Sequence, residues 1–248
     1  MANLIEFYDT VGMPEEYYPK PATKHLPEWY KNTEEYIGGV RRVNPETADT
    51  PHTVKKCIPV FDALTAGYIL VTPCDVQITQ VVEVTEEVPK EEAQLKKEKG
   101  ETSPYYTWSN FGAIQFHPII QAELHPAQNG FPYPKWINPF AIKTPPGYSV
   151  MFMPPMHNPN GIFTILPGIV DTDTYAAPVN FPFVLDNPKW EGVIPAGTPM
   201  AQVIPFKRDS WTMKAEIQQQ EPSKVTTKLR AVFFNSYKRQ FWTRKEFQ

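Results

Sequence analysis

Proline decides what this chain can build. It supplies 28 of the 248 residues, about twice the ~5% usual in globular proteins, while glycine falls below its usual ~7%. Each proline deletes a backbone donor and interrupts helix interiors and central strands. Long helices are therefore excluded over most of the chain, and short strands, extended arms and turns remain. The chain is nonetheless globular in composition, because 41% hydrophobic and 13% aromatic residues can cover one substantial core at this length. The fold class expected is mainly β.

The proline and aromatic residues also divide the chain. In residues 1–50, Pro14, Pro19, Pro21 and Pro27 alternate with Tyr17, Tyr18, Trp29 and Tyr30, which reads as an extended arm that must pack along something. Within it, Pro27 at a first-turn position precedes Trp29, Tyr30, Thr33, Tyr36 and Ile37, a helical stripe that stops at Gly38 and Gly39. One short amphipathic helix is predicted there. Residues 51–217 read as the β core. Val76, Ile78, Val82 and Val84 alternate with polar residues over 75–84, the period of a half-buried strand. The run 86–99 is nearly all Glu and Lys and is expected to be the solvated tip of a hairpin, with its return strand at Tyr105, Tyr106 and Trp108. Further strands are expected at 113–116, 148–153, 162–166, 179–185, 200–206 and 211–217. Pro182 marks the fourth of these as an edge strand or a bulged one. Many short strands with turns between them point to a barrel or a sandwich. Residues 218–248 carry Val225, Leu229, Val232, Phe233, Tyr237, Phe241 and Trp242 at helical spacing among basic residues, a basic amphipathic helix or docked tail.

A net charge of −3 gives no long-range reason for the whole molecule to meet nucleic acid or an anionic membrane. Two cysteines are too few for a disulfide framework, and no basic segment followed by an apolar run opens the chain, so a reducing cytoplasm is expected. No apolar stretch approaches the ~18 residues of a membrane span.

Chemistry-bearing patterns are sparse. His117 and His125 bracket Glu123, but each histidine directly precedes a proline and no His-x-His pair shares a strand face, so both read as structural. Cys57, between Lys56 and Ile58 at the start of an apolar run, reads as a small hydrophobe in a strand. Nucleophile elbows and glycine-rich phosphate loops do not occur. One stretch carries more: Leu166-Pro167-Gly168-Ile169-Val170-Asp171-Thr172-Asp173-Thr174-Tyr175, then an apolar strand, then Ile194-Pro195-Ala196-Gly197-Thr198-Pro199-Met200-Ala201-Gln202.

Over residues 148–206 this resembles the dUTPase and dCTP deaminase family, whose fold is a β-barrel of the β-clip type. The resemblance implies a β-clip core. It also implies Asp171 as the group that activates water for attack on a nucleotide phosphate chain, Tyr175 stacked on the deoxyribose, Gln202 on phosphate, and Mg²⁺ as the accompanying ion. The chain departs from the family pattern in two ways that bear on activity. Tyr175 stands four residues after Asp171 where the family has three, and the segment before Gly168 holds no arginine, although bidentate arginine is what a triphosphate site normally uses. Taken whole, the sequence resembles uncharacterised proteins of marine tailed phages, through its Leu-Pro-Glu-Trp-Tyr-Lys arm and its Thr-Pro-Pro-Gly-Tyr-Ser turn.

The expected function is that of a non-catalytic binding or assembly protein, phage-encoded, forming homo-oligomers through its arm and tail and working without a cofactor in the host cytoplasm or the virion. The alternative is a dUTPase-like nucleotide hydrolase using Asp171. Lys238, Arg239, Arg244 and Lys245 near the end of the chain are the residues through which nucleic acid could be met.

Overall fold

A computed structural model describes residues 3–42, 52–82, 90–108, 112–127, 132–215 and 236–248. Among these, the chain is mainly β, with fourteen strands and few, short helices. The strands are β1 (Glu6–Asp9), β2 (Lys20–Pro21), β3 (Tyr68–Val71), β4 (Val76–Val81), β5 (Ser103–Trp108), β6 (Ile114–His117) and β7 (Tyr133–Trp136). They continue with β8 (Phe140–Lys143), β9 (Tyr148–Met153), β10 (Phe163–Ile165), β11 (Gly168–Val170), β12 (Phe181–Leu185), β13 (Gly192–Ile194) and β14 (Pro199–Lys207). The helices are α1 (Glu28–Asn32), α2 (Ile58–Thr65), α3 (Lys90–Glu98) and α4 (Ser236–Gln240).

Compactness divides the chain differently from the three sequence segments. Residues 1–20 and 68–207 form one unit, and residues 21–67 and 208–248 form another. β2 lies where the chain passes from the first to the second.

The first, or β, unit consists of antiparallel ladders. β14 lies between β9 and β3, with β11 on the far side of β9. A second sheet runs β10-β12-β7-β6, a third β13-β4-β5, and β1 pairs with β8. All of them face one core. Trp136 stacks on Phe183 at 5.4 Å, Phe163 meets both rings, and Phe152 packs on Phe181 at 5.3 Å. Twenty-five of the twenty-eight buried apolar residues described belong to this unit, so the apolar content of the sequence is spent here. Tyr106 is buried in the same core, and that burial raises its phenol above the usual range.

Several strand expectations coincide with the ladders, and four local expectations do not. The charged run is not a loop tip throughout, since residues 90–98 form α3. Helix-favouring Glu, Lys, Gln and Leu fill it, Glu92 pairs with Lys96 at 3.2 Å, and Gly100 at φ +72° ends it. Its closing hydrogen bonds, Glu101 N–H to Lys96 O and Gly100 N–H to Lys97 O, form a Schellman stop. The hairpin itself exists, because β4 and β5 pair from Val76↔Trp108 to Val81↔Ser103. Of the two readings expected for Pro182, the edge is not found, since β12 has a neighbour on both sides, but the pairing changes hands at this residue: β7 pairs only with Phe181 and Pro182 while β10 pairs with 183–185. The missing N–H therefore interrupts no continuous ladder, and the Pro182 carbonyl still accepts the Leu166 N–H at 2.7 Å. Residues 211–215 form no strand, and Trp211 and Met213 stand about nine-tenths exposed. Alternation makes a strand only beside a pairing partner, and among the described residues none is found there. The rest of that expected strand, 216–217, lies outside the described residues. Finally, Cys57 begins no strand but occupies the N-cap position of α2.

Among the described residues of the second unit, polar contacts tie the segments together. α1 is shorter than the predicted stripe, because the Thr33 N–H and hydroxyl both bond to the Trp29 carbonyl and close the helix. Lys55 sits over the Tyr30 ring, 4.7 Å from its centroid, and donates to the Tyr30 and Lys31 carbonyls. Lys56 bridges to Glu35 at 3.1 Å, and the Thr53 hydroxyl bonds to the Glu34 carbonyl. The C-terminal segment is seated on α2: the Trp242 Nε1–H donates to both Asp62 carboxylate oxygens at 2.9 and 3.0 Å, and Lys245 Nζ donates to Oδ2 at 2.5 Å. Of the expected C-terminal stripe, residues 225–235 lie outside the described residues, and 236–240 are the short helix α4.

Candidate functional site

Asp171 directly follows β11, whose register on β9 runs Gly168↔Phe152, Ile169↔Met151, Val170↔Val150. One step further along, Asp171 falls beside Ser149, and the Ser149 hydroxyl donates to its Oδ1 at 2.6 Å. The carbonyl of Asp171 accepts the N–H groups of Thr174 and Tyr175 at 3.1 and 2.9 Å, closing a tight turn. The two residues after it are fastened to the turn between β8 and β9. Thr172 Oγ1 meets Thr144 Oγ1 at 2.7 Å, and Asp173 Oδ2 accepts the N–H of Gly147 at 2.8 Å. Gly147 has φ +84°, a left-handed conformation that glycine adopts without strain. Asp171, Thr172 and Asp173 thus stitch two loops together, which is what short acidic and hydroxyl side chains do best in turns.

The three residues implied by the dUTPase resemblance do not converge. Tyr175 projects outward, 53% exposed. Gln202 is 1% exposed within β14, opposite Met153 of β9 and Ile69 of β3, and its Oε1 accepts the Met156 N–H at 2.8 Å. Asp171 is tied to Ser149, four residues along β9 from Met153, so about 13 Å of strand separates the anchor points of Asp171 and Gln202. The glutamine amide is committed to holding the 154–157 turn on the sheet.

Electrostatics point the same way. The β unit contains nine lysines, no arginine and seventeen carboxylates, a balance of −8. All six arginines of the chain lie in the second unit, which carries fifteen cationic side chains against ten carboxylates, a balance of +5. Within its own unit, a phosphate chain bound near Asp171 would find a net anionic balance and no guanidinium fork of the kind that normally neutralises it. The whole-chain value of −3 conceals this segregation.

The remaining candidates are accounted for locally. His117 Nδ1 lies 2.7 Å from Gln121 Oε1, and His125 Nδ1 accepts the Ala127 N–H at 3.1 Å. Among the described residues no three His, Cys, Asp or Glu side chains gather as metal ligands do. A small cleft of about 20 Å³ lies between β5, β7 and β12, walled by Pro104, Tyr106, Tyr133, Phe183, Leu185 and Pro188. It offers apolar walls and no charged side chain.

Four cationic residues near the C-terminus were candidates for phosphate contact, and three of them are engaged within their own unit. Lys245 is paired with Asp62, Arg244 with Glu246 at 3.3 Å, and Lys238 lies 5.6 Å from the centre of the Trp242 ring. Sequence reasoning missed Asp62 as the seat of the tail, because nothing in the local pattern around it signals a partner 180 residues away. Among the described residues no helix is long and apolar enough to cross a membrane. No family model matches the chain, and no curated protein is significantly similar to it.

Proposed function

We propose that this is a non-catalytic binding or assembly protein, encoded by a phage and working as a homo-oligomer in the host cytoplasm or the virion. The β unit is its rigid scaffold, and the second unit, built from arm and tail segments, is the part that meets the partner.

One observation carries the reading. Among its described residues the second unit buries only Ala22, Tyr30 and Leu64 as apolar core. It leaves Trp29, Ile37, Val40, Val54, Trp211, Met213, Tyr237 and Phe241 exposed. These side chains lie on several segments of the unit, and large apolar groups left to solvent by a unit with so few buried ones are the kind of surface that assembly covers. A unit with so small a core gains most of its stability from a surface that covers it. Part of the expected surplus is already used inside the chain, since Tyr18 packs edge-on against Phe140 at 5.3 Å and Trp242 is bonded to Asp62. The exposed set is what remains after that.

The hydrolase alternative has no comparable support: Asp171 serves a turn, Gln202 serves the sheet, and no arginine stands in their unit. Light scattering at micromolar concentration tests the assembly reading. A mass that is a multiple of 28.4 kDa is expected, and the single-chain mass would overturn it. A thermal-shift screen with dUTP, dCTP and Mg²⁺ tests the alternative, since a bound nucleotide raises the melting temperature by linkage.

A further inference from the structure

We propose that the partner is a second copy of this chain and that the contact is head to tail: the basic unit of one copy docks on the acidic β unit of the next, over the exposed segment that follows β6. This inference rests on the assembly reading above and adds the identity and polarity of the interface.

Charge supplies the first argument. A +5 unit and a −8 unit on the same chain give each copy one surface complementary to the other surface of a neighbour. Such complementarity steers encounter and suppresses the like-with-like pairing that would bring two basic or two acidic units together.

The apolar surface supplies the second. Half of the exposed apolar side chains of the basic unit, Ile37, Val40, Val54 and Met213, are aliphatic. The other half, Trp29, Trp211, Tyr237 and Phe241, are aromatic, so the set is mixed rather than the row of stacking rings that single-stranded nucleic acid asks of its binders. Exposed aromatic, methionine and arginine side chains together are instead the composition enriched at protein–protein contacts. The β unit offers a matching patch. Phe116 is 47%, Ile120 80% and Leu124 95% exposed, within nine consecutive residues that contain the carboxylate of Glu123 and no lysine or arginine. Ile120 and Leu124 are among the most exposed large apolar side chains described in the molecule. Exposed apolar side chains on an acidic unit match exposed apolar side chains on a basic one.

Because the two faces differ, the contact is heterologous: every copy keeps one free face of each kind, and association continues until a ring closes or a filament grows. This makes the proposal testable by complementation in the full chain. Ile120→Ser with Leu124→Ser breaks only the acidic-unit face, and Ile37→Ser with Arg239→Glu breaks only the basic one. All four positions are exposed, so unchanged circular dichroism and melting temperature are expected and serve as the control for folding.

Sedimentation equilibrium is expected to show association for the unmodified protein that weakens as NaCl rises from about 0.05 M to about 0.5 M, as screening shortens the reach of the charges. Each double variant alone is expected to associate at least about tenfold more weakly, a loss of ~1.4 kcal/mol. Their equimolar mixture is expected to form a two-chain species, since one intact face of each kind remains. Variants that associate like the unmodified protein, or a mixture that gives no two-chain species, would overturn the head-to-tail contact while leaving the assembly reading in place. A single-chain mass for the unmodified protein at every salt concentration would overturn both. A single-chain mass together with salt-sensitive binding of a labelled single-stranded oligonucleotide would move the partner of the basic unit from a second copy to nucleic acid.

Discussion

Asp171→Ala removes the carboxylate that accepts the Ser149 hydroxyl at 2.6 Å, and the cost can be worked from its setting. An O–H···O⁻ bond of this length belongs to the short, charge-assisted class, worth ~1.5–3 kcal/mol net. Ser149 is buried but Asp171 is exposed, so water recovers part of the loss and about 1–2 kcal/mol is expected. For a unit of this size that lowers the melting temperature by about 2–8 °C. The neighbouring Thr144–Thr172 and Gly147–Asp173 bonds keep the loop in place, so the variant should fold. Asp171→Asn retains an acceptor and should lose less. A double-mutant cycle of Asp171→Ala with Ser149→Ala, read by urea denaturation, should return a coupling of ~1 kcal/mol. If the two effects simply add, the bond is not what Asp171 is for. Loss of a measurable nucleotide hydrolysis in Asp171→Ala at unchanged stability would refute the structural role outright.

Three other outcomes follow from the structure. The Val11 N–H above all, with those of Gly12 and Met13 and the Tyr18 hydroxyl, holds the Asp9 carboxyl below its usual value against an opposing desolvation. A group depressed in the folded state contributes stability that is present above its unfolded value near ~3.9 and is lost as pH falls through the folded one, so Asp9→Asn should flatten the decline of stability with acid below about pH 4. Trp242→Phe deletes the indole donor to Asp62 and should free the C-terminal segment: faster limited proteolysis near residue 240 with intact β-unit fragments is expected, and an unchanged cleavage pattern would count against the seat on α2. Phe183→Ala empties a fully buried position stacked on Trp136 and should cost about 3–5 kcal/mol, the largest loss among these variants; a melting temperature within a few degrees of the unmodified protein would show that the core is not organised around that stack.

The sequence by itself determined the class of structure. Proline at this density leaves short strands and turns, and the alternation Val76, Ile78 against Gln77, Thr79 places the start of β4 to within a residue, although the strand ends at Val81, short of the expected 84, because which side of a strand meets the core is a period-two property written locally while its length is set by pairing. It also held a signal that was not used: helix formers followed by Gly100 specify the end of α3. Three matters were decided only by tertiary structure. Alternation at 211–217 could not show whether a partner strand would be adjacent, and among the described residues none is. The spacing of Asp171, Tyr175 and Gln202 could not show that register puts the first beside Ser149 and the last opposite Met153, on separate tasks. And a net charge of −3 could not reveal an acidic unit and a basic one, because residues 21–67 and 208–248 are remote along the chain and only folding gathers their cations into a single body.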